Sequence, residues 1–96
     1  MSGPSEMPCA VVLKATQFSH EEARAISKWV LRRESAHTVV IDLSHATDAT
    51  TAAFATLVVL RRKLLSIGRD LRLSGLRERA QFMYDIARLG EVLPMH

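Results

Sequence analysis

The sequence predicts a small α/β domain, a central, mostly parallel sheet of three to four strands with helices packed against it. Three observations carry this reading. Short β-branched runs alternate with segments of helical period, which favours parallel pairing and crossover connections. Thr38–Leu43 (Thr-Val-Val-Ile-Asp-Leu) is nearly continuously apolar, as suits a central strand covered on both faces. Ala53, Leu57, Leu60, Leu64 and Ile67 fall on one helical face, i, i+4, i+7, i+11 and i+14.

Residues 1–8 hold two prolines and a glycine and are expected to form a flexible N-terminal tail, leaving 9–96 as a single domain. Cys9–Lys14 is read as a strand. Ser19-His20-Glu21-Glu22 is a capping box that opens a helix to about Arg33, with Ala23, Ile26, Val30 and Trp29 as its inward stripe. After the Thr38–Leu43 strand, Ser44–Ala49 reads as a polar loop. Thr50 or Thr51 then caps a helix running to about Ile67, and Gly68 stops it. Asp70–Ser74 alternates as a strand, and Gly75 turns the chain. Arg77–Leu89 is expected to be a helix with Ala80, Met83, Phe82 and Ile86 or Ala87 inward. Val92-Leu93-Pro94 either adds a last strand or packs down.

Composition limits the function classes. Hydrophobic residues make up 48% and charged residues 24%, an ordinary globular balance rather than a disordered one. The longest uncharged stretch, Ala49–Leu60, is too short to span a bilayer, so no membrane insertion is expected. No basic start followed by an apolar run is present, which points to the cytoplasm. The single cysteine, Cys9, cannot form an intrachain disulfide or a cysteine-based metal site.

The net charge of +3 conceals an asymmetry. Residues 1–60 carry five basic and six acidic side chains, and 61–96 carry eight and four. Arg61, Arg62, Lys63, Arg69, Arg72, Arg77 and Arg79 could bind nucleic acid or a phosphate ligand. A solvated helix face explains the same residues, and no aromatic side chains interleave to stack on bases, so a nucleic-acid partner is not favoured.

No catalytic constellation is visible. The glycines (Gly3, Gly68, Gly75, Gly90) are scattered and form no phosphate loop. His20, His37, His45 and His96 lack metal-ligand spacing, and no serine sits in a nucleophile elbow. An enzyme is not expected, and neither a cofactor nor a metal is implied.

The informative segment joins the central strand to the long helix. In α/β sheets that edge is where ligands and partners dock. Its hydroxyls sit at a helix N-terminus, where an anion is favoured, although Thr50 and Thr51 also serve as plain caps.

Here the chain resembles the STAS domain family, the module of anti-sigma-factor antagonists and sulphate-transporter tails. That family reads apolar strand, Asp-Leu-Ser, about five residues, Asp-Ser-Ser-Gly-Leu, then a Leu-rich helix. Asp42-Leu43-Ser44 matches, five residues follow, and Thr50-Thr51-Ala52-Ala53-Phe54 stands in place of Asp-Ser-Ser-Gly-Leu. Leu57, Leu60, Arg61-Arg62, Leu64, Gly68 and Leu71-Arg72-Leu73-Ser74-Gly75-Leu76 continue the pattern, so the resemblance covers about 9–93. Its degenerate motif places Ala52 where the family has its phosphorylated hydroxyl and keeps only Thr51 as a hydroxyl in register. Family members usually open with two strands, and this chain shows room for one. A shortened sheet would leave an exposed edge for a homodimer.

The resemblance implies a non-enzymatic protein–protein interaction module and regulator. The lead expectation is an anti-sigma factor antagonist. The alternative is a subunit regulating the ATPase of a lipid-transport ABC complex. The implied partner is therefore an anti-sigma factor kinase or a transporter ATPase. Thr51 and Thr50 are the candidate phosphorylation or partner-contact residues. Ser44, His45, Thr47, Asp48, Ala52 and Ala53 form the expected interface loop, with Arg61, Arg62 and Lys63 steering the partner.

Overall fold

The computed structural model describes residues 9–33 and 37–96. The tail expected at 1–8 lies outside the described residues. Five strands and three helices follow in the order β1 (Cys9–Val12), β2 (Gln17–Phe18), α1 (His20–Arg32), β3 (Thr38–Asp42), β4 (Asp48–Ala49), α2 (Thr51–Leu65), β5 (Asp70–Ser74) and α3 (Glu78–Ile86) among these residues. β3 is the middle strand of a parallel three-stranded sheet ordered β1-β3-β5, and β2 and β4 pair in parallel as a second, two-residue ladder. The α/β class and the parallel sheet expected from the alternation are therefore what the chain adopts.

Register shows how the layers form. Val39 and Ile41 of β3 stand beside Leu71 and Leu73 of β5, and all four enter one core with Ala23, Ile26 and Val30 of α1 and Leu57, Leu60 and Leu64 of α2. Val40 points the other way, flanked in register by Ala10 and Arg72, and stays outside that core although buried. The helices thus bury their side chains against one face of β3, not both. The other face carries Thr38, Asp42, Asp70, Arg72 and Ser74 around Val40, a period-2 alternation that the apolar run Val39-Val40-Ile41 conceals.

The element ends follow from local chemistry. Ser19 Oγ accepts the Glu22 amide at 3.4 Å, so the capping residue opens α1 as its sequence predicts. Trp29 lies 38% exposed beneath the Arg33 guanidinium, 4.5 Å from its ring centroid, instead of inward. Ile67 is exposed because α2 ends at Leu65 and the chain turns sharply, with Arg69 N–H donating to Leu64 O at 2.8 Å. Gly68 takes the left-handed conformation of that turn at φ +79°.

Three further expectations are corrected. Gln17-Phe18 is a strand, so the chain does have a second one before α1. The Ser44–Ala49 segment is not all loop, since Asp48–Ala49 forms β4. Two residues are too few to show a strand period, and the pair is held by backbone bonds, Thr47 N–H to Thr16 O at 2.9 Å and Thr50 N–H to Phe18 O at 3.1 Å. α3 ends at Ile86, not Leu89, and its inward residues are Ala80 and Tyr84, with Met83 partly buried, whereas Phe82 and Ile86 face out and Ala87, past the helix, is exposed.

The C-terminal segment closes the β5 edge. Leu93 is fully buried, Leu73 N–H donates to Pro94 O at 3.0 Å, and His96 N–H donates to Leu73 O at 2.7 Å. Of the two alternatives for Val92–Pro94, the segment packs down through Leu93 and forms no strand; a single parallel bridge to Leu73 falls one residue later, at Met95.

Candidate functional site

The corner between β3 and α2 is built from side chains that tie down its backbone. Asp42 Oδ1 accepts the Ser44 amide at 2.9 Å, and Ala46 N–H reaches back to Leu43 O at 3.0 Å. The Ser44 backbone N–H first, and its side-chain hydroxyl second, hold the Asp42 carboxyl below the usual carboxylate range, against a smaller opposing push from burial. Asp48 Oδ1 accepts the Ala49 amide at 2.8 Å and the Arg79 guanidinium at 3.3 Å, linking the corner to the start of α3.

Two threonines at the helix start divide the work. Thr50 is the N-cap: its Oγ1 accepts the Ala53 amide at 3.1 Å, satisfying one of the orphan donors of the first turn. Thr51 follows as the first helical residue and is exposed, as is Ala52. No acidic residue occupies the first turn of α2, so the positive end of the helix is not neutralised there. His45 is exposed, and Ser44, Thr47 and Asp48 are half-buried along the same corner. Ala53 does not belong to this surface. It is fully buried, because it leads the inward stripe continued by Leu57.

The basic residues split by environment. Arg61 donates through Nε to Asp70 Oδ1 at 2.8 Å, and its Nη1 reaches the carbonyls of Val92 at 3.4 Å and Glu91 at 3.5 Å. Arg72 approaches the other oxygen of Asp70 at 3.4 Å. Arg69 is buried, with Nη1 3.4 Å from Val30 O. These three hold the fold together. Arg62 and Lys63 project to the exterior from the last turns of α2. Among the described residues, no group of three or more His, Cys, Asp or Glu side chains is placed to hold a metal ion.

Sequence reasoning missed one feature beside the corner. A groove of about 340 Å³ runs from Thr51 past Ala55, Val58 and Val59 to Arg62, with Ala87 and Leu89 forming its far wall. The available signal was the charge-free run Thr51–Leu60, which supplies apolar residues to the outer side of α2 as well as to its inner side.

This is a parallel-sheet α/β domain whose exposed strand-to-helix corner is stiffened by its own hydrogen bonds. The chain belongs to the STAS domain family, which its residues 9–96 match. A search of the curated proteins found no match. STAS domains generally act as non-enzymatic modules that mediate protein interactions. No helix among the described residues is long and apolar enough to cross a membrane.

Proposed function

We propose that the chain is a cytoplasmic docking regulator that holds its partner through the exposed start of α2 and is not released by phosphorylation at the family's usual position. The carrying observation is the division of roles at that start. Ala52 has no hydroxyl, the Thr50 hydroxyl is engaged as the N-cap, and Thr51 alone offers an exposed hydroxyl in register with the family motif.

The family resemblance implies two partner classes for such a face. An anti-sigma factor kinase fits an antagonist that is switched by phosphorylation. The ATPase of a lipid-transport ABC complex fits a subunit in permanent contact. The alanine at 52 favours the second. A nucleic-acid partner is less favoured, because Arg61, Arg69 and Arg72 turn their charge toward Asp70 and backbone carbonyls.

The test is affinity capture from the native host with the wild-type chain and with Thr51→Glu. The reading expects a transporter ATPase to be captured by the wild type and lost with the glutamate, and incubation with the host's kinases to leave Thr51 unmodified by mass spectrometry. Capture of an anti-sigma factor, with phosphate found on Thr51, would establish the antagonist role instead. Undiminished capture by Thr51→Glu would remove this face as the contact.

A further inference from the structure

The outer side of α2 differs from that of α1. α1 exposes Ala25, Trp29 and Leu31, but the charges of Glu21, Arg24, Lys28 and Arg32 are interspersed among them. α2 presents Ala52, Ala55 and Val59, spaced i, i+3 and i+7, before its first exposed charge at Arg62. Val59 is 50% exposed and stands as a ridge between two depressions. One is the 340 Å³ groove toward Ala87 and Leu89, and the other, of about 210 Å³, lies toward Leu31 and Ser27 of α1 and ends at Lys63. A second apolar stripe on a helix whose first stripe already fills the core marks a contact surface.

We infer that this surface takes an amphipathic helix of the partner protein, with an apolar face of two to three turns and acidic residues at its ends. The inference deepens the proposed docking function and rests on that reading. A ridge with a groove on each side is the relief that one helix presents to another. Ala52 and Ala55 keep the approach close at the Thr51 end. From Thr51 to Arg62 the strip is about 17 Å long at the helical rise of about 1.5 Å per residue, enough for an i, i+4, i+7 anchor set.

Charge selects the occupant. One end of the strip is bounded by Arg62 and Lys63, and the other is the positive end of α2, whose first turn carries no acidic residue. A second copy packed antiparallel along α2 would bring Arg62 and Lys63 against that positive end, and no residue from Thr51 to Leu65 is acidic to relieve it. Neither depression is closed over, so a free acyl chain lying there would keep part of its surface in water, whereas a helix laid across the Val59 ridge covers both at once.

The experiment uses the full chain and a labelled 18-residue helical peptide with leucines at i, i+4 and i+7 and glutamates at both ends, beside the same peptide with lysines there. Fluorescence anisotropy should give at least tenfold tighter binding of the glutamate peptide at low salt. Amide shifts should cluster at Ala55, Val58, Val59 and Arg62. Val59→Asp should abolish binding, and Arg62→Glu with Lys63→Glu should reverse the preference. All three side chains are at the surface, and a thermal melt of each variant checks that it is folded.

Equal or tighter binding of the lysine peptide, shifts elsewhere, displacement of the peptide by a fatty acid, or self-association lost in Val59→Asp would each overturn the inference. Its failure is separable from that of the docking reading. Capture that depends on Thr51 but ignores Val59 and Arg62 removes the groove alone. Peptide binding in the groove, with capture indifferent to Thr51→Glu, removes the corner alone.

Discussion

Gly75 lies so close to Asp42 that a Cβ at position 75 would meet Asp42 Oδ1 at 2.9 Å, the same oxygen that accepts the Ser44 amide. The end of β5 and the end of β3 are therefore packed backbone against capping carboxylate, and the corner that carries the candidate site is braced from behind. Ser44 N and Ser44 Cβ would also stand 2.9 Å from that Cβ, and Gly75 has φ +77°. Gly75→Ala combines a left-handed backbone with three close contacts, and should cost roughly 2–3 kcal/mol. Gly68 has nearly the same φ, +79°, with nothing within 4 Å of an added Cβ, so Gly68→Ala should cost only about 1 kcal/mol. Thermal melts of the pair check this. At about 4–8 °C per kcal/mol for a domain of this size, the gap between them should be readily measured.

Stability should fall in acid through Asp70 and Asp42. Burial pushes the Asp70 carboxyl up, but the Arg61 hydrogen bond, the Leu71 amide and the charges of Arg61 and Arg72 together bring it below the usual range. A carboxyl depressed in the folded state adds stability that is fully present above its unfolded value, about 3.9. That stability is lost as pH falls through the folded value. The midpoint of urea unfolding should therefore hold steady from neutral pH to about pH 5 and decline below about pH 4. Asp70→Asn should flatten part of that decline. Because the pair is partly solvated, its cost at neutral pH should be about 1 kcal/mol.

The fold was legible where an apolar stripe repeats over several turns, as in α1 and α2, and less so in the shorter α3, where Phe82 and Ile86 lie outward. α1 showed Ala23, Ile26 and Val30, and α2 showed Ala53, Leu57, Leu60 and Leu64, because each stripe repeats over several turns. β2 and β4 were not legible, since two residues have no period and their pairing joins Gln17-Phe18 to Asp48-Ala49 across 31 positions of chain. Tyr84 was missed because its hydroxyl reads as polar, although the ring is buried against Phe54 at a centroid distance of 6.2 Å. At the candidate site, the loop and its hydroxyls could be named from sequence. Which threonine caps depends on the helix starting at Thr51 rather than one residue later, and no spacing rule fixes that.

The two threonines should separate cleanly. Thr50→Ala removes the acceptor of the Ala53 amide at the start of a helix packed in the core, and should cost about 1 kcal/mol, with loss of protection at the Ala53 amide in hydrogen exchange. Thr51→Ala removes an exposed hydroxyl at the first helical position and should leave stability within about 0.5 kcal/mol of wild type. Partner capture should show the opposite order, weakened by the change at Thr51 and retained, at temperatures below the melt, by the change at Thr50. If both substitutions lowered stability equally, the assignment of the cap to Thr50 would be wrong.

The last contact to test is the one that seals the C-terminus. Tyr84 Oη donates to Leu93 O at 2.7 Å inside the core, and the same segment lends Pro94 O to Leu73 and takes the Leu73 carbonyl at His96. Tyr84→Phe keeps the ring against Phe54 but leaves the Leu93 carbonyl buried without that donor, which should cost roughly 1–2 kcal/mol. The loss should be local as well as global. Faster hydrogen exchange is expected at Leu73 and His96, whose amides bond across the same bridge, and unchanged exchange at Val39 and Ile41 in mild conditions. Burial, and secondarily the Asp85 charge, push the Tyr84 hydroxyl above the usual phenol range. A raised folded value means that its contribution is complete below the unfolded value, about 10, and is lost as pH rises through the folded one. Wild type should therefore lose stability above about pH 10 more steeply than Tyr84→Phe. Parallel alkaline profiles would show that the phenol is not held in the core as its bond to Leu93 requires.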